Sequence, residues 1–423
     1  MKIKTKKKSY DKVAAMPKEK ARKPQKPGWI FRKLLQTLSW FDLKATKFSY
    51  KTYGMEKLGK KEPCLILMNH SSFIDLKIAE TIMKSRPMNI VCTSDGFIGK
   101  NWLMRNLGCR PTNKFVTDVR LVKDMVYAIR DLKCSVLMYP EASYSFDGTA
   151  TPLPESLGKC LKLLKAPVVM IKTYGAFSRD PLYNNLQLRK VKVSADVTYL
   201  LSPEEIKQKS ADELNEILKE AFTFDNFKWQ QDNKIKIDEP FRADGLNRVL
   251  YKCPVCGDES SMTGKGTKLR CGKCGKEYEL TEYGFLEATE GETEYSHIPD
   301  WYAWERECVR KEIIDGTYSL DTDVDICMMV DTKCIYKVGS GRLTHTPEGF
   351  RLTGCDGKLE YSQKPSASYG LYADYYWYEI GDVICIGDND VLYYCFPKCE
   401  RDVVAKTRLA AEEMYKLSRE RKN

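Results

Sequence analysis

The sequence predicts an α/β domain with a mainly parallel central sheet, a small zinc ribbon, and a C-terminal antiparallel β domain capped by a helix. Between residues 50 and 225, short apolar runs alternate with helical patterns, as parallel strands joined by crossover helices do. Two Cys-x2-Cys pairs, Cys253/Cys256 and Cys271/Cys274, stand with fourteen residues between them. From about residue 317 closely spaced strand-like runs take over, and Asp402 to Arg419 closes the chain with helical periodicity.

A chain of 423 residues has room for two or three domains. Its net charge of +11 is unevenly held, since residues 1–27 contain eleven Lys or Arg and two acidic residues. This tail has no apolar core of its own and is expected to be disordered and drawn to an anionic surface. Residues 28–225 form the next unit, and they open on Trp29 to Phe41. There Phe31, Leu34, Leu35, Leu38 and Phe41 share a helical face, with Arg32, Lys33 and Gln36 off it. Trp29 and Trp40 are of the type favoured at membrane interfaces. A basic tail feeding such a helix suits a protein lying on a membrane lipid surface, although a helix packed on the sheet would share the pattern. No run approaches the roughly 18 apolar residues of a membrane-spanning helix, and the N-terminus lacks the apolar core of a signal peptide. The expected location is therefore cytoplasmic, peripheral on the membrane face. Of sixteen cysteines, twelve are scattered through apolar runs and read as packing residues in a reducing compartment.

Strands are read at 65–68, 89–92, 135–139, 167–172 and 191–199, and helices at 72–84, 119–132, 155–165 and 203–222. In Cys64-Leu-Ile-Leu-Met-Asn-His-Ser-Ser-Phe-Ile-Asp75 the apolar strand ends on Asn69 and His70, with Ser71 and Ser72 as N-caps for the helix that follows. His70 then sits at the C-terminal edge of the sheet, where open α/β folds place their chemistry. Five helical steps of about 100° would hold His70 and Asp75 roughly 140° apart. They meet only if His70 sits in the turn and Asp75 in the first helical turn. So placed, the carboxylate fixes the imidazole tautomer and leaves the other nitrogen free to take a proton from a hydroxyl. The spacing alone is a weak signal, because a lone histidine at a helix start is commonly a capping or packing residue.

A second corner strengthens it. Cys134-Ser-Val-Leu-Met-Tyr-Pro-Glu-Ala-Ser-Tyr144 is another apolar strand ending in polar residues. Strand-Asn-His-x4-Asp followed by strand-Tyr-Pro-Glu-Ala-Ser resembles the glycerolipid (lysophosphatidic acid) acyltransferase superfamily. Gly158 and the run Ala166-Pro167-Val168-Val169-Met170-Ile171 continue the resemblance, which covers about residues 28–225. It implies that His70 is the general base, that Asp75 orients it, that Asn69 shapes the corner, and that Glu141 and Ser143 help position the acceptor. It also implies a fatty acyl thioester donor, acyl-CoA or acyl carrier protein. The family's third block usually carries an arginine for the acceptor phosphate where this chain has Tyr144. Met170 replaces its second proline, and Gly108-Cys-Arg-Pro-Thr-Asn-Lys-Phe115 only approximates its second block. Arg110 and Lys114 are the cations available there for phosphate, and the sequence does not choose between them. The helical stripe of Leu121, Val122, Met125, Val126 and Ile129 reads as core, and Lys159, Lys162 and Lys165 as a solvated face.

Residues 226–250 read as a linker, polar and aromatic without period. In the ribbon, 251–285, the cysteine spacing fits a four-thiolate zinc site of Cys253, Cys256, Cys271 and Cys274, with a glycine after each second cysteine relieving the turn. A filled sulfur shell makes that metal structural. Glu277 to Glu305 holds nine acidic residues and no Lys or Arg, which disfavours nucleic acid as a partner. Residues 286–423 read as seven or so antiparallel strands with a C-terminal helix and resemble the pleckstrin-homology-like superfold. His297 and His345 read as structural. Together these features point to a peripheral-membrane O-acyltransferase acting on a lysophospholipid or glycerol-phosphate-type acceptor in phospholipid biosynthesis. The competing expectation is a non-catalytic scaffold that binds lipid or protein through the ribbon and the β domain.

Overall fold

A computed structural model describes residues 2–18, 22–116, 118–399 and 401–420. The transferase-like domain is a seven-stranded sheet in the order Ser49–Tyr53, Ser194–Leu201, Val168–Tyr174, Leu65–Met68, Ser135–Met138, Met88–Thr93, Cys109–Thr112. Every neighbouring pair is parallel except Val168–Tyr174 with Ser194–Leu201. Leu65–Met68 lies at the centre and is buried on both faces, as a continuous apolar run in a parallel sheet must be. Its two parallel neighbours end beside it, so the polar corners after Met68 and Met138 share one sheet edge.

The four-stranded ribbon is antiparallel, with Lys268–Cys271 between Met262–Lys265 and Glu277–Leu280, and Leu286–Ala288 outermost. The C-terminal sheet is antiparallel in the order Leu359–Gln363, Gly349–Gly354, Ile335–Thr346, Leu320–Met329, Leu392–Pro397, Gly381–Gly387, Tyr372–Trp377. Leu320–Met329 thus joins a four-stranded and a three-stranded meander, and helix Val404–Glu420 follows.

Three stretches differ from the sequence reading. The basic tail is not featureless: Thr5–Lys7 pairs in parallel with Ile335–Lys337, and helix Tyr10–Ala14 buries Val13. Backbone bonds to an open strand edge order it, among them Ile335 N–H to the Lys4 carbonyl at 2.9 Å and Lys8 N–H to the Lys337 carbonyl at 3.1 Å, and a composition-based reading cannot see that edge. Residues 226–250 are no free linker. Helix Asn226–Asp232 is followed by a segment whose Ala243, Leu246, Val249 and Leu250 are buried in the core shared with ribbon and β domain. Helix Ile298–Ile314 rises from the acidic stretch, burying Trp301, Glu305 and Val309 on one face. Its Arg306 and Arg310 pair with Glu412 and Glu413 of the C-terminal helix at 2.8–3.1 Å.

Candidate active site

Helix Asp75–Ile82 begins at Asp75 itself, so His70 lies in the turn and Asp75 in the first helical residue. Asp75 Oδ2 is 3.2 Å from His70 Nδ1 and accepts the backbone N–H of Ser71 at 2.8 Å and of Ser72 at 3.0 Å. The serines therefore contribute amides to the turn, and Ser72 Oγ also accepts the Ile74 N–H at 3.3 Å. The Ser72 hydroxyl donates to Asp180, a carboxyl that burial pushes up to about 6. Asp75 is 1% exposed and the His70 side chain 18% exposed. With Nδ1–H assigned to Asp75, Nε2 is the nitrogen left for chemistry. Burial holds the imidazole below its usual value, against the pull of Asp75, so the ring is neutral at pH 7.

Glu141 and Asn69 hold the backbone of the corner. Glu141 Oε2 accepts the His70 N–H at 2.8 Å, and its Oε1 accepts Thr151 N–H at 2.8 Å. Asn69 Oδ1 accepts Thr173 N–H at 2.8 Å, tying the central strand to Val168–Tyr174. Burial pushes Glu141 up to about 7. Ala142 has φ +56°, a left-handed conformation that glycine adopts more easily. The His70 ring lies between Tyr139 and Tyr144, at centroid distances of 4.3 and 4.1 Å.

His70 opens on a cavity of about 1510 Å³. Helices Val119–Arg130 and Leu157–Leu164 line it with Leu121, Val122, Met125, Leu157 and Cys160, and Lys159 and Lys165 also border it. The stripe read as core is thus partly cavity wall. Of the two candidate cations, Lys114 lines the cavity, whereas Arg110 forms an ion pair with Asp124 away from it. Glu141 and Ser143, expected near the acceptor, do not line the cavity. Ser143 is buried and accepts from Arg408 Nη1 at 3.3 Å. The β domain adds Tyr369, Tyr372, Asp374 and Tyr378 to the walls. Sequence reasoning missed these residues, and also Thr151, Thr173 and Asp180, because they reach the corner from distant elements without a local motif.

In the ribbon, Cys253 Sγ is 3.7 Å from Cys274 Sγ, and Cys256 Sγ is 3.7 Å from Cys271 Sγ. Sulfurs about 2.3 Å from a tetrahedral zinc lie roughly 3.8 Å apart, so the donor set fits that ion. Gly257 and Gly275 follow with φ of +72° and +81°, and their amides bond back to Cys253 and Cys271. A zinc ion held by these four thiolates would close the ribbon and take no part in transfer.

Residues 49–172 match the family model described as Acyltransferase. The chain is similar to the solved 1-acyl-sn-glycerophosphate (LPA) acyltransferase PlsC from Thermotoga maritima. The likeness is 16% in identity with a TM-score of 0.35, over 45% of this chain and 76% of that one. No curated protein matches. The segment that carries His70, Asp75 and Glu141 is an acyltransferase domain, and the protein is an acyltransferase.

Proposed function

We propose that the protein is a peripheral-membrane O-acyltransferase of phospholipid biosynthesis. It moves a fatty acyl group from a coenzyme A or acyl carrier protein thioester to the hydroxyl of a lysophospholipid or glycerol-phosphate-type acceptor. The observation that carries this reading is the His70–Asp75 pair, 3.2 Å apart, with the imidazole facing the cavity. His70 Nε2 takes the proton of the acceptor hydroxyl as its oxygen attacks the thioester carbonyl. Asp75 stabilises the imidazolium that forms. The carbon–sulfur bond then breaks, and the imidazolium returns the proton to the departing thiolate, leaving ester, thiol and neutral histidine. The apolar walls from Leu121 to Cys160 suit an acyl chain.

Helix Trp29–Ala45 supports attachment to a lipid surface. It buries Ser39 and Leu43 and turns Leu34, Leu38 and Phe41 outward. Trp29 is 72% exposed and Trp102, edge-on to Phe31, is 70% exposed. Such a patch edged by Lys33, Lys44 and Lys47 matches an interfacial helix on anionic lipid. Among the described residues no helix is long and apolar enough to cross a membrane. The test is lipid mass spectrometry of the purified protein with both donors and a panel of lysolipids, run beside His70→Ala. The wild type acylates at least one lysolipid and the variant none, with unchanged zinc content; equal turnover by both removes His70 from the mechanism.

A further inference from the structure

We propose that the C-terminal β domain completes the acceptor site, and that the site takes a zwitterionic lysolipid head group, its ammonium against Asp374 and its anionic group against Lys114. The proposal rests on the transferase reading above and adds the class of head group.

The wall opposite the helices comes from Ser366 to Glu379 of the β domain. It is fixed against the transferase domain by three hydrogen bonds: Tyr372 Oη to Asp95 at 2.5 Å, Tyr369 Oη to the Pro140 carbonyl at 3.2 Å, and Ser368 Oγ to the Phe115 carbonyl at 3.0 Å. The strand in this wall is irregular. Its pairing with Gly381–Gly387 shifts register between Asp374 and Trp377, and Tyr376, Tyr378 and Glu379 have φ of +52°, +46° and +64°. Left-handed backbone at non-glycine residues costs energy and clusters where a site needs it, and a bulge re-aims side chains. Here the irregular segment contributes Asp374, Tyr376 and Tyr378 to the cavity that holds His70.

The charges in this part of the cavity are mixed. Among the described residues no Lys or Arg nitrogen comes within ion-pair distance of the Asp374 carboxylate, whose one hydrogen bond is from the Tyr375 amide at 3.0 Å. Burial pushes that carboxyl up to about 6, with Lys114 pulling it back, so it is ionised at neutral pH. Asp95, also on the cavity, keeps one buried carboxylate oxygen without a partner. Lys114 Nζ sits 4.1 Å from the Tyr372 ring centroid. Beside Lys114 a phosphomonoester would also meet two carboxylates, and Tyr144 supplies no cation there; the cavity's other cations, Lys123, Arg130, Lys159, Lys165 and Arg419, belong to or adjoin helices Val119–Arg130, Leu157–Leu164 and Val404–Glu420. A neutral head would leave Lys114 and Asp374 both unanswered. A head bearing both charges answers both, and the rings of Tyr378 and Tyr144, which also line the cavity, suit an ammonium.

The test offers the full-length protein a thioester donor with three competing acceptors: lysophosphatidylethanolamine, lysophosphatidylglycerol and 1-acylglycerol 3-phosphate. The glycerol head keeps the phosphodiester and lacks the ammonium. The wild type should prefer the ethanolamine head. Asp374→Asn should lower the ethanolamine-to-glycerol ratio of kcat/KM about tenfold, and Asp374→Glu should keep the preference. A wild-type preference for the phosphomonoester, or an unchanged ratio in a folded Asp374→Asn, overturns the proposal. If the Asn variant does not fold, the wild-type order decides. Calorimetric binding of the same lysolipids to His70→Ala reads the ratio without turnover. Absent acylation by the wild type with the binding preference retained therefore sinks the transferase reading alone, whereas wild-type acylation without head-group preference sinks the pocket alone.

Discussion

Asp75→Asn separates the charge of the carboxylate from its part in the turn. Oδ2 accepts His70 Nδ1–H and two backbone amides, and Oδ1 is buried without a partner. In the variant the amide oxygen must take the Oδ2 position, because an NH2 group there would face two N–H donors. The NH2 then lies where Oδ1 was, buried without an acceptor, which costs about 1–3 kcal/mol of folding stability. The ring keeps its place and the charge is gone. In the transition state the imidazolium stands 3.2 Å from Oδ2. At an effective dielectric of about 20 that attraction is worth about 5 kcal/mol. With about 1.4 kcal/mol per decade, kcat falls roughly three to four orders of magnitude. Single-turnover acylation followed by mass spectrometry, beside a thermal melt, reads both effects. A folded Asp75→Asn whose kcat stays within about tenfold of wild type would refute the assignment of Asp75 as the charge that stabilises the imidazolium.

Three further outcomes follow from the same coordinates. Because burial holds His70 below its ordinary value and the neutral ring is the base, kcat/KM should be flat around pH 7 and fall tenfold per pH unit only below about pH 6.5; a midpoint above that value contradicts the burial argument. Metal analysis should find one zinc per chain, absent in Cys271→Ser. Chelation should lower Tm sharply, since structural zinc contributes on the order of 10 kcal/mol in isolated fingers; an unchanged melt after chelation dismisses the metal. Replacing Trp29, Leu34, Leu38 and Phe41 by Ser removes side chains each more than half exposed. At about 1 kcal/mol for each partly buried side chain, vesicle partitioning should fall about 10³-fold in a flotation assay, and a loss under threefold rules the helix out as the anchor.

The two polar corners could be read from sequence because each is a local event. A four-residue apolar strand ends at a polar turn, and the partners His70 and Asp75 are five residues apart. The strands read at 65–68 and 135–139, which form at Leu65–Met68 and Ser135–Met138, followed from the same local signal, and so did the cysteine knuckles. What escaped depends on distant pairing. Thr5–Lys7 becomes a strand only because Ile335–Lys337 presents an edge to it. The buried positions Ala243, Leu246, Val249 and Leu250 are too short a run to declare themselves outside the three-domain core they join. Helix Ile298–Ile314 did carry a signal, with Ile298, Trp301, Tyr302, Glu305, Val309 and Ile313 on its buried face. A buried Glu305 and a surrounding excess of acid mask it. Glu305 Oε1 accepts the Lys252 amide of the ribbon at 2.8 Å, whereas its Oε2 is buried without a partner.

Tyr144, which stands where the resemblance implies an arginine, shows the same limit at the active site. Sequence records that a cation is missing from the corner but not that another arrives behind it. Arg408, on the C-terminal helix, donates to the Tyr144 carbonyl at 3.1 Å and to Ser143 Oγ at 3.3 Å, lies 4.2 Å from the Phe146 ring centroid, and pairs with Glu412 at 3.1 Å. Every one of those partners belongs to the scaffold, and the guanidinium does not line the cavity. Its charge is neutralised where it sits, so it anchors the corner's main chain to the β domain and cannot substitute for an acceptor-binding arginine. Among the described cavity-lining residues, Lys114 is the cation whose charge acts on both His70 and Asp374, so the proposed head-group choice rests on the wall that the β domain supplies rather than on the corner.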